Sequence, residues 1–161
     1  MRYIEALEEY EPQPGDPPAL FLAGGIKFCE NWQARYCKLL EDAPIIVLNP
    51  RRLKNDWSDR DSAEQVEWEF RHLRKATAVS FWFAVETLNP ITLFELGTWS
   101  NSKTPIYVGC HPLYQKRRTV IKQLQLLRPE VEVVNSLELL ARTVRTALLS
   151  EKSTSPPVAS P

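Results

Sequence analysis

Short runs of apolar residues alternate along this chain with stretches in which apolar residues recur every three or four positions. The apolar runs lie at residues 19–23, 45–48, 78–83, 106–108 and 131–134. Runs that are apolar on both faces are typical of strands inside a parallel sheet, because helices cover both faces of such a sheet. The intervening stretches have the period of amphipathic helices. The pattern therefore predicts five strands, each followed by a helix.

The sequence also marks where the helices start. Asn31 opens the first helical stretch, and Ser62 is a suitable N-terminal cap for the second. Pro90 is suited to the first position of the third helix, where its missing N–H would have no partner in any case. The last two helices are predicted at residues 114–127 and 137–149.

Strands that alternate with helices imply right-handed crossovers and a doubly wound sheet. We therefore predict an α/β fold of the flavodoxin or Rossmann-like type, with a five-stranded parallel sheet in the order 2-1-3-4-5 and helices on both faces. This domain should span residues 18–149. The acidic, proline-rich residues 1–17 are expected to form an extended lead-in, with a short segment around Tyr3 and Ile4 packing on the domain. The Ser/Thr/Pro/Ala-rich residues 150–161 are expected to be a disordered tail.

Composition narrows the possible functions. A chain of 161 residues that is 43% apolar is typical of one soluble domain with a substantial core. Its 20 basic residues balance 20 acidic residues, so it lacks the positive charge that binding a nucleic-acid polymer requires. There is no membrane-length apolar run and no signal-peptide pattern, which indicates a cytoplasmic protein without membrane contact.

Metal and cofactor chemistry is not indicated. The chain has three cysteines and no CxxC spacing, and its two histidines, His72 and His111, share no ligand spacing. Neither a GxGxxG fingerprint nor a P-loop is present. We expect no metal site and no cofactor, and small organic molecules are the better candidates for a ligand.

Ligands of open α/β sheets bind beyond the carboxyl ends of the strands. Gly24 and Gly25 follow the first predicted strand, where they would either let a ligand approach the backbone or form a tight turn, and both interpretations stay open. Asn49 and Arg51 follow the second strand and would either contact a ligand or belong to a solvated loop. Trp57, in the same polar loop, is a candidate lid over a base. His111 and Tyr114, after the fourth strand, are further candidates, with a surface loop as an equal alternative.

Glu95 lies in the helix that begins at Pro90, between Phe94 and Leu96. By itself, a glutamate near a helix N-terminus does no more than complement the helix dipole. Glu69 lies on the preceding helix, and spacing alone does not connect the two acids.

Five stretches resemble the nucleoside 2-deoxyribosyltransferase family, in its deoxyribosyltransferase-like branch. They are FLAGGI at 21–26, WQ at 32–33, NPRR at 49–52, QVEWE at 65–69 and FWFAVETLNPITLFELG at 81–97. They occur in the expected order over about two-thirds of the chain, and the last is the most specific. The related 2′-deoxynucleotide N-glycosidases share this scaffold and the same glutamate.

The resemblance implies roles for individual residues. Glu95, in the Glu-Leu-Gly motif, would be the nucleophile, and Glu69 would assist the departing base at a position where the family usually has aspartate. Asn89 stands where the family has an aspartate that holds the sugar hydroxyls, and Phe21 where it has a tyrosine that orients the nucleophile. The implied substrate-binding residues are Gly24, Gly25, Gln33, Asn49, Arg51, Trp57, Phe83, Glu86 and Asn89.

The resemblance also implies an activity. It is the transfer of 2-deoxyribose from a 2′-deoxyribonucleoside to another nucleobase, through a covalent deoxyribosyl-glutamate intermediate and with retention of configuration. A carboxylate opposite the base suits this chemistry, because it stabilises the oxocarbenium-like sugar and then bonds to C1′. Two alternatives stay open: hydrolysis of a 2′-deoxynucleoside or deoxynucleotide, and a nucleotide-sensing module without turnover. The implied partners are 2′-deoxynucleosides, free nucleobases and further copies of the chain in a homo-oligomer, at least a dimer, with shared active sites.

Overall fold

The computed structural model describes residues 1–53 and 59–150. Within these residues, six parallel strands form one sheet: β1 (Arg2–Glu5), β2 (Ala19–Gly24), β3 (Ile46–Asn49), β4 (Ala78–Phe83), β5 (Ile106–Cys110) and β6 (Val133–Val134). The helices are α1 (Trp32–Leu39), α2 (Asp59–Lys75), α3 (Pro90–Trp99), α4 (Arg117–Leu127) and α5 (Leu137–Ser150). The predicted α/β class and the parallel sheet are confirmed.

The predicted five-stranded sheet in the order 2-1-3-4-5 is wrong in its strand count. The order is β1-β3-β2-β4-β5-β6, with β1 as an additional edge strand, while the other five strands keep the predicted relative order. β1 pairs in parallel with β3, with Tyr3 opposite Val47. Only one of its four side chains, that of Ile4, is buried, so it lacks the continuous apolar run that marked the interior strands. Residues 2–5 form a strand because the free edge of β3 has unpaired backbone groups with which they form hydrogen bonds.

Two of the three predicted helix starts agree with the structure. Asn31 caps α1 by accepting a hydrogen bond from the Ala34 N–H at 3.1 Å, and Pro90 is the first residue of α3. The prediction that Ser62 caps the second helix is wrong, because α2 already begins at Asp59.

The sheet separates two hydrophobic cores. One lies beneath α2, α3 and α4 and contains Phe21, Phe81 and Trp68. The other lies beneath α1 and α5 and contains Trp82 and Tyr36. Helices therefore cover both faces, as predicted. In the part of the chain that the structure describes, no helix combines the length and apolarity needed to cross a bilayer.

The segment that follows β1 runs along α2 and contacts buried residues of that helix. The indole N–H of Trp68 donates to the Glu8 carbonyl at 2.7 Å, and the Tyr10 N–H donates to His72 Nε2 at 3.1 Å. Tyr10 is itself buried in the core beneath α2. We call residues 6–11 the N-terminal strap, because they fasten α2 to the edge of the sheet. The predicted tail beyond residue 150 lies outside the described residues, and the proposed division into a lead-in, a domain and a tail stays a prediction.

Candidate active site

The turn between β4 and α3 sets the position of Glu95. Asn89 adopts the left-handed conformation, with φ of 50°, and Pro90 then starts α3 directly beside the carboxyl edge of the sheet. Glu95 is the sixth residue of the helix and is half-buried. The helix dipole acts mainly on the first turn, so it does not account for a glutamate at this position.

Glu69 of α2 and Glu95 of α3 lie close enough to interact electrostatically. Burial, together with the nearby charge of Glu69, raises the pKa of Glu95 from 4.5 to about 8. Burial also raises the pKa of Glu69, while a hydrogen bond from Gln65 lowers it. The hydrogen bond from Gln65 favours the ionised form of Glu69, and a charge on Glu69 in turn favours the protonated form of Glu95. The tertiary structure brings together two acids that the sequence alone did not connect.

Two carboxyl groups that hold one proton can perform acid and base chemistry in a single step. One group is available as a proton source, and the other as a base or a nucleophile. The pair lies near the carboxyl edge of the sheet, because Gln65 bonds both Glu69 and the Pro50 carbonyl, which directly follows β3. This is the edge at which α/β sheets bind ligands.

Asn89 and Gly25 meet at the same edge. Asn89 is buried, and its Oδ1 accepts a hydrogen bond from the Thr87 hydroxyl at 2.6 Å. A Cβ added to Gly25 would lie 2.3 Å from Asn89 Oδ1, and one added to Gly24 would lie 2.4 Å from the Trp32 ring. Both glycines are thus required by close packing within the protein, which favours the interpretation of 24–25 as a tight turn.

Arg51 holds the loop between β2 and α1. Its guanidinium donates to the carbonyls of Ile26, Cys29 and Glu30 at 2.7–3.0 Å. It also donates to Gln33 Oε1 at 3.1 Å, and the amide of Gln33 donates in turn to the Gly25 carbonyl at 3.1 Å. Both side chains, predicted to bind substrate, are engaged within the protein and shape this loop instead of presenting free groups.

Asn49 is engaged in a similar way. Its side-chain nitrogen donates to the Tyr3 hydroxyl at 2.6 Å, and its Oδ1 accepts from the Arg51 N–H at 3.0 Å. Glu86 is exposed, and its Oε1 accepts a long hydrogen bond of 3.5 Å from the Glu30 N–H. Asn49 therefore braces the turn that leads to Arg51, whereas Glu86 contacts the loop that Arg51 holds.

Aromatic residues around the site are mostly core residues. Phe83 is fully buried against Tyr114, with ring centroids 5.2 Å apart. Phe21 is buried against Trp68, and it has no hydroxyl that it could donate to Glu95. Trp57 lies outside the described residues. The hydroxyl of Tyr114 donates to the Leu88 carbonyl at 2.7 Å and so braces the turn before α3.

Three features were missed by the sequence analysis. Gln65 contacts Glu69, Arg51 fastens the loop at 26–30, and Phe28 of that loop is 91% exposed with φ of 57°. Helical spacing of four residues would have paired Gln65 with Glu69. Nothing in the sequence indicates the conformation of Phe28, because it depends on the hydrogen bonds that Arg51 makes. The described residues contain no group of three or more His, Cys, Asp or Glu side chains arranged to hold a metal ion.

A family model described as nucleoside 2-deoxyribosyltransferase like matches residues 17–114. The match includes β2 to β5 and both Glu69 and Glu95, and it begins after β1 and the N-terminal strap. A search among curated proteins finds no match. Because the matched region covers more than half of the chain, the protein belongs to the nucleoside 2-deoxyribosyltransferase-like family, whose members are expected to act on nucleosides.

Proposed function

We propose that this protein transfers 2-deoxyribose from a 2′-deoxyribonucleoside to a second nucleobase, with Glu95 as the nucleophile. The observation that carries the proposal is the pair of half-buried carboxyl groups, Glu69 and Glu95, which lie near the carboxyl edge of the sheet and interact so that the pKa of Glu95 rises to about 8. The family suggests nucleosides as substrates. Cleavage of an N-glycosidic bond needs both a carboxylate for C1′ and a proton for the base, and the pair can provide both.

The proton balance of the proposed step is straightforward. The C1′–N bond breaks with its electron pair passing to the base, and an oxygen of Glu95 bonds to C1′. The proton of Glu95 passes to Glu69 and from there to a ring nitrogen of the departing base. Glu69 begins and ends the step as a carboxylate. An incoming base then attacks C1′ from the vacated side as the C1′–O bond to Glu95 breaks. The proton that the incoming base loses passes through Glu69 back to Glu95, and the two inversions give net retention.

Base exchange is the first test. The protein is incubated with deoxyinosine and adenine, and deoxyadenosine is followed by chromatography. We expect Glu95→Gln to lower the rate by about a thousandfold or more, because the amide cannot form the glycosyl ester. Glu67→Gln is the matched control, since Glu67 lies on α2 with an exposed side chain. Exchange that survives Glu95→Gln would overturn the assignment of the nucleophile.

A trapping experiment identifies the covalent intermediate. A 2-fluoro-2-deoxynucleoside should leave a sugar adduct on the intact protein, and peptide mapping should place it on Glu95. A separate incubation with deoxyinosine and no acceptor base distinguishes transfer from hydrolysis. Release of free sugar at the rate of base exchange would show that water is the acceptor and would favour the N-glycosidase alternative. Binding of a nucleoside without any adduct or cleavage would instead favour a sensing role.

We also propose that the protein works as a homo-oligomer. Two large apolar side chains of α3, Ile91 and Phe94, are 65% and 74% exposed beside Glu95. Exposed apolar side chains that flank a catalytic residue suit burial by another subunit. Sedimentation analysis should give a mass of at least a dimer, and Phe94→Glu should shift it toward the monomer. A wild-type monomer at micromolar concentration would contradict this proposal.

A further inference from the structure

Gln65 is a buried polar residue on α2, one helical turn before Glu69. Its side chain is 3% exposed. Its amide nitrogen, Nε2, donates to the Pro50 carbonyl and to Glu69 Oε1, both at 2.7 Å. The two partners are acceptors, so the opposite orientation of the amide would face its oxygen toward two other oxygens. The contacts thus fix the amide orientation and use both of its N–H groups.

The other end of the same amide is unsatisfied. Gln65 Oε1 is buried and has no hydrogen-bond partner in the structure. A buried acceptor without a partner is costly, and such groups in native proteins tend to occur where function requires them. The amide is retained here although one half of it is unpaired. Its two donations join the Pro50 carbonyl to Glu69, and the donation to Glu69 is the one that acts on an ionisable group.

A neutral N–H that points at a carboxyl oxygen stabilises the ionised form of that carboxyl. Among the residues that the structure describes, no such neighbour lowers the pKa of Glu95, on which both burial and the charge of Glu69 act in the opposite direction. The two acids therefore differ chiefly in the presence of the Gln65 amide.

We infer that Gln65 is a positioning residue that holds Glu69 as the ionised member of the pair and thereby places the shared proton on Glu95 before substrate binds. This inference rests on the proposed function for its catalytic meaning. Which of the two carboxyl groups holds the proton can be measured without turnover. In the proposed step, Glu69 can relay the proton of Glu95 only if it starts as a carboxylate, and Gln65 maintains that starting state.

The direct test is a titration of Glu69 by carboxyl infrared spectroscopy. Glu95→Gln removes the second acid, so the remaining signal of the pair comes from Glu69. Adding Gln65→Met, which keeps the length of the side chain without its donor, should raise the midpoint of Glu69 by about one to two pH units. An unchanged midpoint would overturn the inference.

A second variant guards against a folding defect. Gln65→Asn retains an amide but is one methylene shorter, so it cannot reach both Pro50 and Glu69, and it should raise the midpoint in the same direction. Ser80→Ala is the matched control for loss of a buried hydrogen bond, since Ser80 bonds the Tyr36 hydroxyl at 2.9 Å in the other core. It should reduce stability without moving the midpoint of Glu69. A shift with Ser80→Ala equal to that with Gln65→Met would also overturn the inference.

Enzyme kinetics provides the catalytic readout. In Gln65→Met with both acids present, the whole pH profile of kcat should move to higher pH, because every state with an ionised Glu69 becomes less favourable. A fall in kcat at all pH values without displacement of the profile would indicate a structural role and would contradict the inference. If the wild type neither exchanges nor cleaves nucleosides, the proposed function fails, whereas the infrared titration still decides the role of Gln65.

Discussion

At the scale of single residues, two features of its surroundings disfavour the ionised form of Glu95. It is half-buried, and it faces another acid, so that its pKa rises to about 8. A group whose pKa is higher in the folded state contributes most to stability below its unfolded pKa of 4.5. That contribution is lost as the pH rises through the folded value. Ionisation of Glu95 is thus expected to weaken the fold at alkaline pH, a cost that the proposed catalytic role would explain.

Glu95→Gln should therefore stabilise the protein in a pH-dependent way. The amide carries no charge to desolvate, so the melting temperature of the variant relative to wild type should increase between pH 5 and pH 8.5. An effect of about 2 kcal/mol corresponds to a rise of about 4–8 °C for a domain of this size. Thermal unfolding followed by circular dichroism measures it. Glu67→Gln, on the exposed side of α2, should show no comparable trend, and a constant difference for Glu95→Gln would contradict the assignment of its pKa.

Two glycines provide a matched pair for the packing around the site. At Gly24 an added Cβ would lie 2.4 Å from the Trp32 ring and 2.8 Å from the Trp82 carbonyl, whereas at Gly97 nothing lies within 4 Å. Gly24→Ala should cost about 1–3 kcal/mol, because backbone must move. Gly97→Ala should contribute about 0.5–1 kcal/mol through helix propensity in α3. Urea unfolding of both variants would test this, and equal effects would be inconsistent with the packing described.

At the scale of elements, the N-terminal strap is attached to α2 by a neutral histidine. Because His72 Nε2 accepts from the Tyr10 N–H, the proton lies on Nδ1, which donates to the Trp68 carbonyl at 2.8 Å. The imidazole also stacks on the Trp68 ring, with centroids 4.1 Å apart. Glu69 directly follows Trp68, so the strap supports the helix that carries a catalytic candidate. The family match begins beyond the strap, at residue 17.

Acid pH should loosen the strap. Burial lowers the pKa of His72 below 6.5; the neighbouring Glu9 opposes this shift, and Lys75 and Arg71 add to it. A lowered pKa means that the stabilising contribution of neutral His72 is complete above pH 6.5 and is lost as the pH falls through the folded value. Protonation turns Nε2 into a donor and breaks its bond with Tyr10.

Hydrogen exchange of the Tyr10 amide measures this effect as a protection factor. We expect protection to fall between pH 7.5 and pH 5 in the wild type and to change much less in His72→Gln, whose side chain does not titrate. His111→Gln is the control, because His111 lies away from the strap and contacts its own loop at Leu113. Equal protection at both pH values in the wild type would refute the role of His72.

At the scale of the whole molecule, one sheet serves two purposes. Its two faces carry separate cores, while the carboxyl end of β3 leads to Pro50, which is joined through Gln65 to Glu69, and β4 is followed by the helix that carries Glu95. The acids themselves come from two different helices over the same core. Their relative position is therefore set by the packing of α2 and α3 on the sheet, and the strap adds contacts to Trp68 and His72 of α2.

The sequence by itself determined the fold class and the order of the interior strands. Continuous apolar runs and helical periodicity are local patterns, so strands and helices can be predicted from them without a structure. It also determined the start of α3 at Pro90 and, through the family motif, led to the prediction that Glu95 is the nucleophile. The edge strand β1 could not be predicted in this way, because a short half-exposed strand forms only when a neighbouring edge is available.

Only the tertiary structure decided which residues act on one another. It placed Glu69 beside Glu95 and gave Gln65 its contact with Glu69. It also engaged Arg51 with the carbonyls of the loop between β2 and α1, whereas the sequence allowed either a ligand contact or a solvated loop for this residue. The physical reason is that hydrogen bonds and charge interactions act over a few ångströms in space, between residues that lie far apart along the chain. The chemistry of each residue follows from its type, whereas its protonation state and partners follow from its surroundings.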